Sequence, residues 1–309
     1  MASPILHIKD SYFFEVPKAL WHSDYKTKED VEPFLREAHP HATLDDFSNA
    51  MDGKILIPQP FGKLTDLHTK KSGFCISKFM VLETVVAIIL FALFAFIAMR
   101  LRGAKAPRGR IVNAFEAILI YLRDQVARPA IGEKDTGRFL PILYTMFFFI
   151  LGCNLIGMLP WLGTPTGAFA TTLTMAGVTF LVGFIAGVKK FGIAGYWTNM
   201  VPHMELPGYM FPLKIGIFVI EVVGLVIKHA VLGIRLLANM MAGHLVLHSI
   251  LGMVAMAATA GVYVWGIASV GVVVGSTLFN ILELLVAFLQ AYIFTFLSAL
   301  FISAAIHHH

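Results

Sequence analysis

Five apolar stretches dominate the chain after residue 75, and their lengths predict membrane-spanning helices. Three cover about residues 80–100, 140–160 and 167–188, each long enough to cross a bilayer core of roughly 30 Å. Two longer stretches cover about residues 211–255 and 262–306. No proline follows Pro212, so nothing in the sequence forces these last two helices to break. The pattern predicts an all-α polytopic membrane protein with about five membrane helices.

The last two stretches are too long for helices that stand upright in a membrane. A single helix over residues 211–250 would be about 60 Å long, roughly twice the hydrocarbon thickness. The stretch over residues 262–306 has the same excess. We therefore expect a long, tilted hairpin. Small residues along both helices are expected to permit close helix contact; they are Gly224, Gly233, Gly243, Gly252, Gly266, Gly271 and Gly275.

Between the first and second spans, residues 108–130 show the period of an amphipathic helix. Apolar residues recur at helical spacing on one side, and polar residues occupy the other. The apolar set is Ile111, Val112, Phe115, Ile118, Leu119, Leu122 and Val126. The segment is too polar to span and is expected to lie in the membrane interface, although a helix in a soluble loop would show the same period.

Residues 1–75 differ from the rest of the chain and are predicted to form an extramembrane polar arm. They hold 11 of the 19 Asp and Glu and 9 of the 24 Lys and Arg, a net charge of −2. Four prolines interrupt the arm between Pro33 and Pro60. A short helix is expected around Ser11–Trp21, with Tyr12, Phe13, Phe14, Val16 and Leu20 on the membrane surface.

Composition and charge agree with a membrane setting and give it an orientation. The chain is 57% hydrophobic and 14% charged, with a mean hydropathy of +0.75. Nine Lys and Arg residues fall between Arg100 and Arg138, so that segment is expected to face the cytoplasm and the arm the opposite side. No signal or transit peptide is recognised at the N-terminus. Cys75 and Cys153 indicate neither a disulfide framework nor a metal site, and no function is assigned to His307-His308-His309.

Polar residues occur at regular spacing within the hairpin. Glu221, Lys228 and Arg235 are spaced by seven residues, which leaves only about 20° of drift around a helix, so they form one stripe. Asn239 continues this stripe, whereas His244 lies on the opposite face of the same helix. On the second helix, Glu283 and Gln290 are again seven apart and share a face. Such residues in a membrane helix point to an ion pathway or to a partner of opposite charge.

Arg235 is the strongest functional candidate among these residues. A guanidinium stays charged in proteins, and placing it at a bilayer centre costs roughly 3 to 17 kcal/mol. The nearest acid on its own helix, Glu221, is about 21 Å away along the axis. The counter-charge of Arg235 must therefore come from elsewhere, for example from Glu283 on the neighbouring helix.

Simpler interpretations stay open for the other polar residues. Glu221 and Lys228 would form an internal ion pair, or Lys228 would extend its amine to an interface. Asn239 would join two helices by a hydrogen bond. His248 is expected to be satisfied by a backbone carbonyl.

Three motifs occur within residues 75–306. The first begins at Ile220-Glu221 and ends in Arg235-Leu236-Leu237-Ala238-Asn239-Met240-Met241-Ala242-Gly243-His244. It resembles the signature of the a-subunit family of F-type ATP synthases, a run of Arg, Leu, an aromatic or aliphatic residue, a small residue, Asn, Met, any residue, Ala, Gly and then His or Glu. The second is Leu289-Gln290-Ala291-Tyr292-Ile293-Phe294, and the third is Asn154-Leu155-Ile156-Gly157-Met158-Leu159-Pro160. The resemblance does not cover the arm.

The resemblance implies roles for individual residues. Arg235 would meet the carboxylate of the c-ring, Gln290 would face that arginine from the other helix, and Asn239 would continue the stripe. His244 and Glu283 would line the half-channel that opens to the outer side. Glu221 would belong to the inner half-channel, and Lys228 has family counterparts of less defined role. Many bacterial members carry Glu and His in the reverse order, so this pair is similar to mitochondrial and alphaproteobacterial forms.

The resemblance also implies a setting. The chain would be the non-catalytic, proton-translocating subunit of the F0 sector, with the c-ring, the peripheral-stalk b subunits and membrane lipid as partners. No cofactor, no metal and no nucleic acid are expected. A bacterial inner membrane is expected, with a mitochondrial inner membrane as the alternative, and the coupling ion, H⁺ or Na⁺, depends mainly on the c subunit.

Two other classes of protein compete with this interpretation. A secondary transporter would use Arg235 to bind an anionic substrate, but such folds usually show internal repeats and broken helices, and neither is recognised in this sequence. A membrane scaffold would not need an Arg, His, Glu and Gln inside its spans.

Overall fold

The structure is a computed structural model that describes residues 10–17, 21–22, 25, 27, 29–101, 109–159, 162–199 and 211–307. The described residues form two compact units. The arm unit comprises residues 1–88, 153–168 and 241–281, and the arginine unit comprises residues 89–152, 169–240 and 282–309.

The arm is folded. It contains β1 (Phe13–Glu15), α1 (Pro33–Ala38), α2 (Leu44–Met51), β2 (Lys54–Leu56), β3 (Gly62–Asp66) and β4 (Thr69–Gly73). β1 pairs antiparallel with β2, and β3 pairs antiparallel with β4. Thr43 and Asp46 form a capping box at the start of α2, and Val31, Leu35, Phe47 and Met51 form a small hydrophobic core.

The helix expected around Ser11–Trp21 is wrong where the structure describes that segment, since residues 13–15 form strand β1. Phe13 is buried and lies opposite Leu56 on β2, and Phe14 lies opposite Ile55. The adjacent aromatic residues Tyr12, Phe13 and Phe14 match neither the helical nor the strand period clearly. Pairing with β2 therefore determines the conformation of this segment. Leu20 lies outside the described residues.

Five described helices are long and apolar enough to cross a membrane. They are α3 (Lys78–Leu101), α6 (Glu133–Gly157), α7 (Phe169–Asn199), α8 (Phe211–Ala257) and α9 (Val262–Ile306). Between α3 and α6, the chain forms α4 (Arg110–Tyr121), a π-helical turn (Leu122–Ala127) and α5 (Arg128–Ile131). The all-α polytopic class is thus confirmed, and the four short strands are confined to the arm.

Two spans differ in extent from the sequence prediction. α6 begins at Glu133, seven residues before the predicted start, because acidic residues in a first turn favour a helix even where the chain is not yet apolar. α7 continues to Asn199, with a break at Gly192, whose φ of 76° is left-handed.

The predicted amphipathic helix is confirmed from Arg110 onward. Val112, Leu122 and Val126 on its apolar side are buried, but Ile111 is exposed; its place in the interface stays a prediction.

The two long helices are continuous, as the lack of proline predicted. α8 has 47 residues and α9 has 45, so each is about 70 Å long at 1.5 Å per residue. A 3-10 turn (Ala258–Ala260) and Gly261, with φ 110°, join them. The tilt of this hairpin stays a prediction.

Close packing occurs at one hairpin glycine and not along the whole hairpin. A Cβ at Gly233 would lie 2.8 Å from the carbonyl oxygen of Thr172 on α7. At Gly224, Gly252, Gly266, Gly271 and Gly275, a Cβ would meet no atom of the described chain within 4 Å. No described helix of this chain packs closely at those five positions, so close contact there stays a prediction for helices outside the described chain.

We expect Gly233→Ala to lower the stability of the purified protein. Overpacking of this kind typically costs about 1–3 kcal/mol, and the atom opposing the new methyl group is backbone. Gly224→Ala is the matched control on the same helix, and it is expected to be neutral or slightly stabilising, since alanine favours helices over glycine. The check is the fraction of each variant that remains monodisperse in detergent after heating. Equal losses in the two variants would contradict this packing.

Candidate functional site

Arg235 lies at the edge of the buried face of α8. Leu232, Leu236 and Met240 are buried at helical spacing on that face, and the Arg235 side chain is half-buried beside them. Many large apolar residues are exposed elsewhere on α8 in this unit, together with Glu221 and Lys228; they include Ile220, Val223, Val226, Ile227, Val231 and Ile234. The arginine thus lies between a packed core and an open apolar surface.

Within the part of the chain that the structure describes, Arg235 forms neither an ion pair nor a hydrogen bond. Two other members of its stripe contact each other, with 3.9 Å between Lys228 Nζ and Glu221 Oε1. The internal ion-pair interpretation of these two residues is therefore confirmed. Glu283 is not paired with Arg235, so the guanidinium has no counter-charge among the described residues of its own unit.

A hydrogen bond joins the arginine helix to α9 one turn beyond Arg235. Asn239 Nδ2 donates to Gln290 Oε1 at 2.7 Å, which confirms the interpretation of Asn239 as a link between helices. Gln290 is only 2% exposed, and its Nε2 has no partner among the described residues. An amide whose oxygen is engaged while its N–H₂ group is buried and unused can donate to an incoming acceptor.

Glu283 lies on the same face of α9 as Gln290, about 10 Å earlier along the helix. It is 5% exposed, and its Oε1 has no hydrogen-bond partner in the described chain. Its neighbours on that face, Ala287, Ala291 and Phe294, are buried. A buried carboxyl group without a partner is costly, and such groups commonly mark functional positions in membrane helices.

His244 belongs to the arm unit, where its Nε2 contacts the hydroxyl of Thr164. Thr164 is buried and also donates to the carbonyl oxygen of Gly157 at 3.3 Å. The contact with Thr164 positions the imidazole of His244.

The motif at residues 154–160 supports this threonine. Asn154 is fully buried, and its Oδ1 accepts a hydrogen bond from Thr166 at 2.8 Å. A Cβ at Gly157 would lie 2.6 Å from Thr164 Oγ1, so only glycine allows this approach. Sequence reasoning missed Thr164; the available signal was a pair of threonines in a turn directly after the motif. Pro160 lies outside the described residues.

His248 has the role expected of an ordinary membrane histidine. Its Nδ1 donates to the carbonyl oxygen of His244 at 2.8 Å. The assignment of His244 and Glu283 to one half-channel stays a prediction, as does the assignment of Glu221 to a second path.

Comparison with known proteins gives one consistent result. The family model described as ATP synthase A chain matches residues 80–303, more than half of the 309 residues. An "ATP synthase subunit a" from Anaeromyxobacter sp. (strain Fw109-5) is 34% identical over 303 residues, which cover 98% of this chain and 70% of the relative. One from Chloroherpeton thalassium is 38% identical over 276 residues, covering 87% of this chain and 79% of the relative. One from Myxococcus xanthus is 36% identical over 237 residues, or 76% and 75% of the two chains.

The matched region contains Arg235, Asn239, His244, Glu283 and Gln290, and the matches with relatives extend into the arm. The length of the family match and these identities show that the chain belongs to the ATP synthase A chain family.

Proposed function

We propose that this chain is the a subunit of the F0 sector of a rotary ATP synthase, in which Arg235 separates two offset proton half-channels. The observation that carries the proposal is a half-buried guanidinium without a counter-charge in the described part of its unit, one helical turn from the Asn239–Gln290 hydrogen bond. A site so arranged suits a carboxylate that arrives from outside the chain.

The chemistry of such a carboxylate explains why the site has both a cation and unused donors. A ring carboxyl group in lipid is neutral, because desolvation disfavours its charged form. Beside Arg235 the charged form becomes favourable, and the proton leaves. The free Nε2 hydrogens of Gln290 would stabilise the resulting carboxylate further, since hydrogen bonds to charged groups are stronger than neutral ones.

Two separate proton paths then follow from where the titratable residues lie along the chain. His244 and Glu283 would deliver protons from one side of the membrane, and Glu221, about 21 Å from Arg235 along α8, would release them toward the other. Arg235 repels a hydronium ion, so a proton cannot pass directly from one path to the other. It must travel on the ring, and that requirement couples proton flow to rotation and ATP synthesis.

The partners and location follow from the same proposal. The exposed apolar surface of α8 and that of α9, which includes Leu282, Leu285 and Phe288, would face the c-ring and lipid. The b subunits of the peripheral stalk would hold the chain as a stator in a bacterial inner membrane. No observation favours the transporter alternative: α8 and α9 are unbroken, and the family is that of ATP synthases.

Gln290→Leu tests the role of the unused amide donors in this site. Loss of one hydrogen bond to a charged group costs about 1.5–3 kcal/mol, so we expect ATP-driven proton pumping to fall by about tenfold or more. The measurement is quenching of a pH-sensitive dye in inverted membrane vesicles, normalised to the amount of assembled complex.

Thr295→Val is the matched control for Gln290→Leu. Thr295 is buried on the same helix, and among the described residues its hydroxyl donates only to the carbonyl of Ala291, so normal pumping is expected. Normal pumping by Gln290→Leu would refute the proposed role of Gln290.

A further inference from the structure

The β3–β4 hairpin of the arm carries a pair of exposed aromatic side chains. Phe61 is 74% exposed and Phe74 is 60% exposed. The backbone N–H of Phe74 donates to the carbonyl of Phe61 at 3.2 Å, and the next pair in the ladder is Gly62 with Gly73. The two phenylalanines therefore lie directly opposite each other, on one face of the hairpin.

This exposure does not arise from a lack of hydrophobic core in the arm. The arm has its own hydrophobic cluster, which buries Val31, Leu35, Phe47 and Met51. Two adjacent phenylalanines left in water would instead form an unfavourable surface, which in soluble proteins usually marks an interaction site.

The position of the pair relative to the membrane is set by the chain itself. Lys78 is the first residue of span α3, and Phe74 precedes it by four residues, a separation of at most about 14 Å. Phe74 is thus held close to the level at which α3 enters the bilayer.

Hydrogen bonds hold the base of the hairpin to the start of α3. Gln59 accepts from the Ile76 N–H at 2.7 Å and donates to the Ile76 carbonyl at 2.8 Å. The start of α3 is also tied to the segment before β1, since the Lys78 N–H donates to the Ser11 carbonyl at 2.8 Å and the Phe79 N–H to Asp10 Oδ1 at 3.3 Å. Burial raises the pKa of the Asp10 carboxyl group, although hydrogen bonds from Ser77, Phe79 and Ser11 oppose the shift. The hairpin is therefore fixed at its base.

A basic residue lies on the same face of the hairpin, farther from α3. Lys63 follows Phe61 by two residues and pairs with Ser72, so its side chain shares the face of Phe61 and Phe74 at about 7 Å along the strand. Aromatic groups next to a lysine are the composition of segments that bind at a membrane interface, with rings at the acyl boundary and the amine near lipid phosphates.

We propose that the β3–β4 hairpin is a membrane-interface anchor, in which Phe61 and Phe74 insert into the phospholipid leaflet where α3 begins. Lys63 then contacts the phosphates of the same leaflet. The anchor fixes the arm against the bilayer at the entrance of the first span. It depends on the membrane location of α3 and not on the proton path.

Site-specific photo-cross-linking in native membranes tests the anchor in the assembled complex. Separate variants carry p-benzoylphenylalanine at Phe61, at Phe74 or at Thr69, which is exposed and begins β4 at about 14 Å from Gly73. A fourth variant carries it at Phe91, an exposed residue inside α3, as the positive control for lipid capture. Intact mass of this chain after irradiation reports the adduct.

The proposal predicts a mass increase of one phospholipid at Phe61 and Phe74, as at Phe91, and no lipid adduct at Thr69. A cross-link from Phe61 or Phe74 to another polypeptide would overturn it in favour of a protein partner. Equal lipid capture at Thr69, or no lipid capture at Phe74 while Phe91 captures lipid, would also overturn it.

Discussion

Arg235→Ala is expected to abolish proton-driven ATP synthesis while leaving the complex assembled. The guanidinium is half-buried and makes no hydrogen bond or ion pair in the described part of the chain, so its loss breaks no polar contact there. A ring carboxylate would then have to ionise in a gap without a cation. An uncompensated buried charge costs about 3–5 kcal/mol, which corresponds to a loss of at least about 100-fold in rate.

The measurement is respiration-driven ATP synthesis in inverted vesicles, with the amount of co-purified complex as the check on assembly. Lys214→Ala is the matched control, since Lys214 is an exposed cation on the same helix outside the proposed site. We expect that control to synthesise ATP normally. Synthesis at a normal rate by Arg235→Ala would remove the basis of the proposed function.

The second large effect is expected from the double variant His244→Ala with Glu283→Ala, which should strongly reduce both passive and driven proton flux. These residues would relay protons on one side of the arginine, and loss of a positioned acid or base typically costs about 100-fold or more. Flux is measured as acidification of vesicles, first under an imposed potential and then with ATP.

His248→Ala serves as the control for this pair, because His248 lies one turn beyond His244 and is bonded to its carbonyl. It should leave flux nearly unchanged. Thr164→Val should have a smaller effect than His244→Ala, since it removes only the group that orients the imidazole. If ATP synthesis survives the double change, the assignment of the outer half-channel is wrong.

The features that the sequence predicted well are those set by periodicity and by distance along a helix. Lack of proline after Pro212 predicted two unbroken helices, and both are present. Simple arithmetic along α8 predicted that Arg235 has no acid of its own helix within reach, and the structure adds that Glu283 does not pair with it either. A charged residue in a long apolar helix is a strong signal of function, because placing its charge inside a bilayer costs much free energy.

Contacts between distant segments could not be predicted in the same way. Periodicity places Asn239 and Gln290 on their helices, but only the packing of α8 against α9 makes their hydrogen bond. Thr164 lies 80 residues before His244, and a threonine in a turn has no pattern of its own. In the arm, strand β1 has three residues and owes its conformation to β2, a partner about 40 residues away.

The central claim is that the surface of α8 beside Arg235 faces the carboxylate-bearing helices of the c-ring. A single cysteine at Ile234 tests it directly, because Ile234 is 46% exposed next to Arg235 and both native cysteines are buried. A second cysteine is placed beside the membrane carboxylate of the c subunit, and the assembled complex is oxidised. Leu181→Cys, on the exposed surface of α7, is the control. We expect a disulfide between this chain and the small ring subunit from position 234 and none from position 181. No cross-link from 234, or equal cross-linking from both positions, would contradict the proposed function.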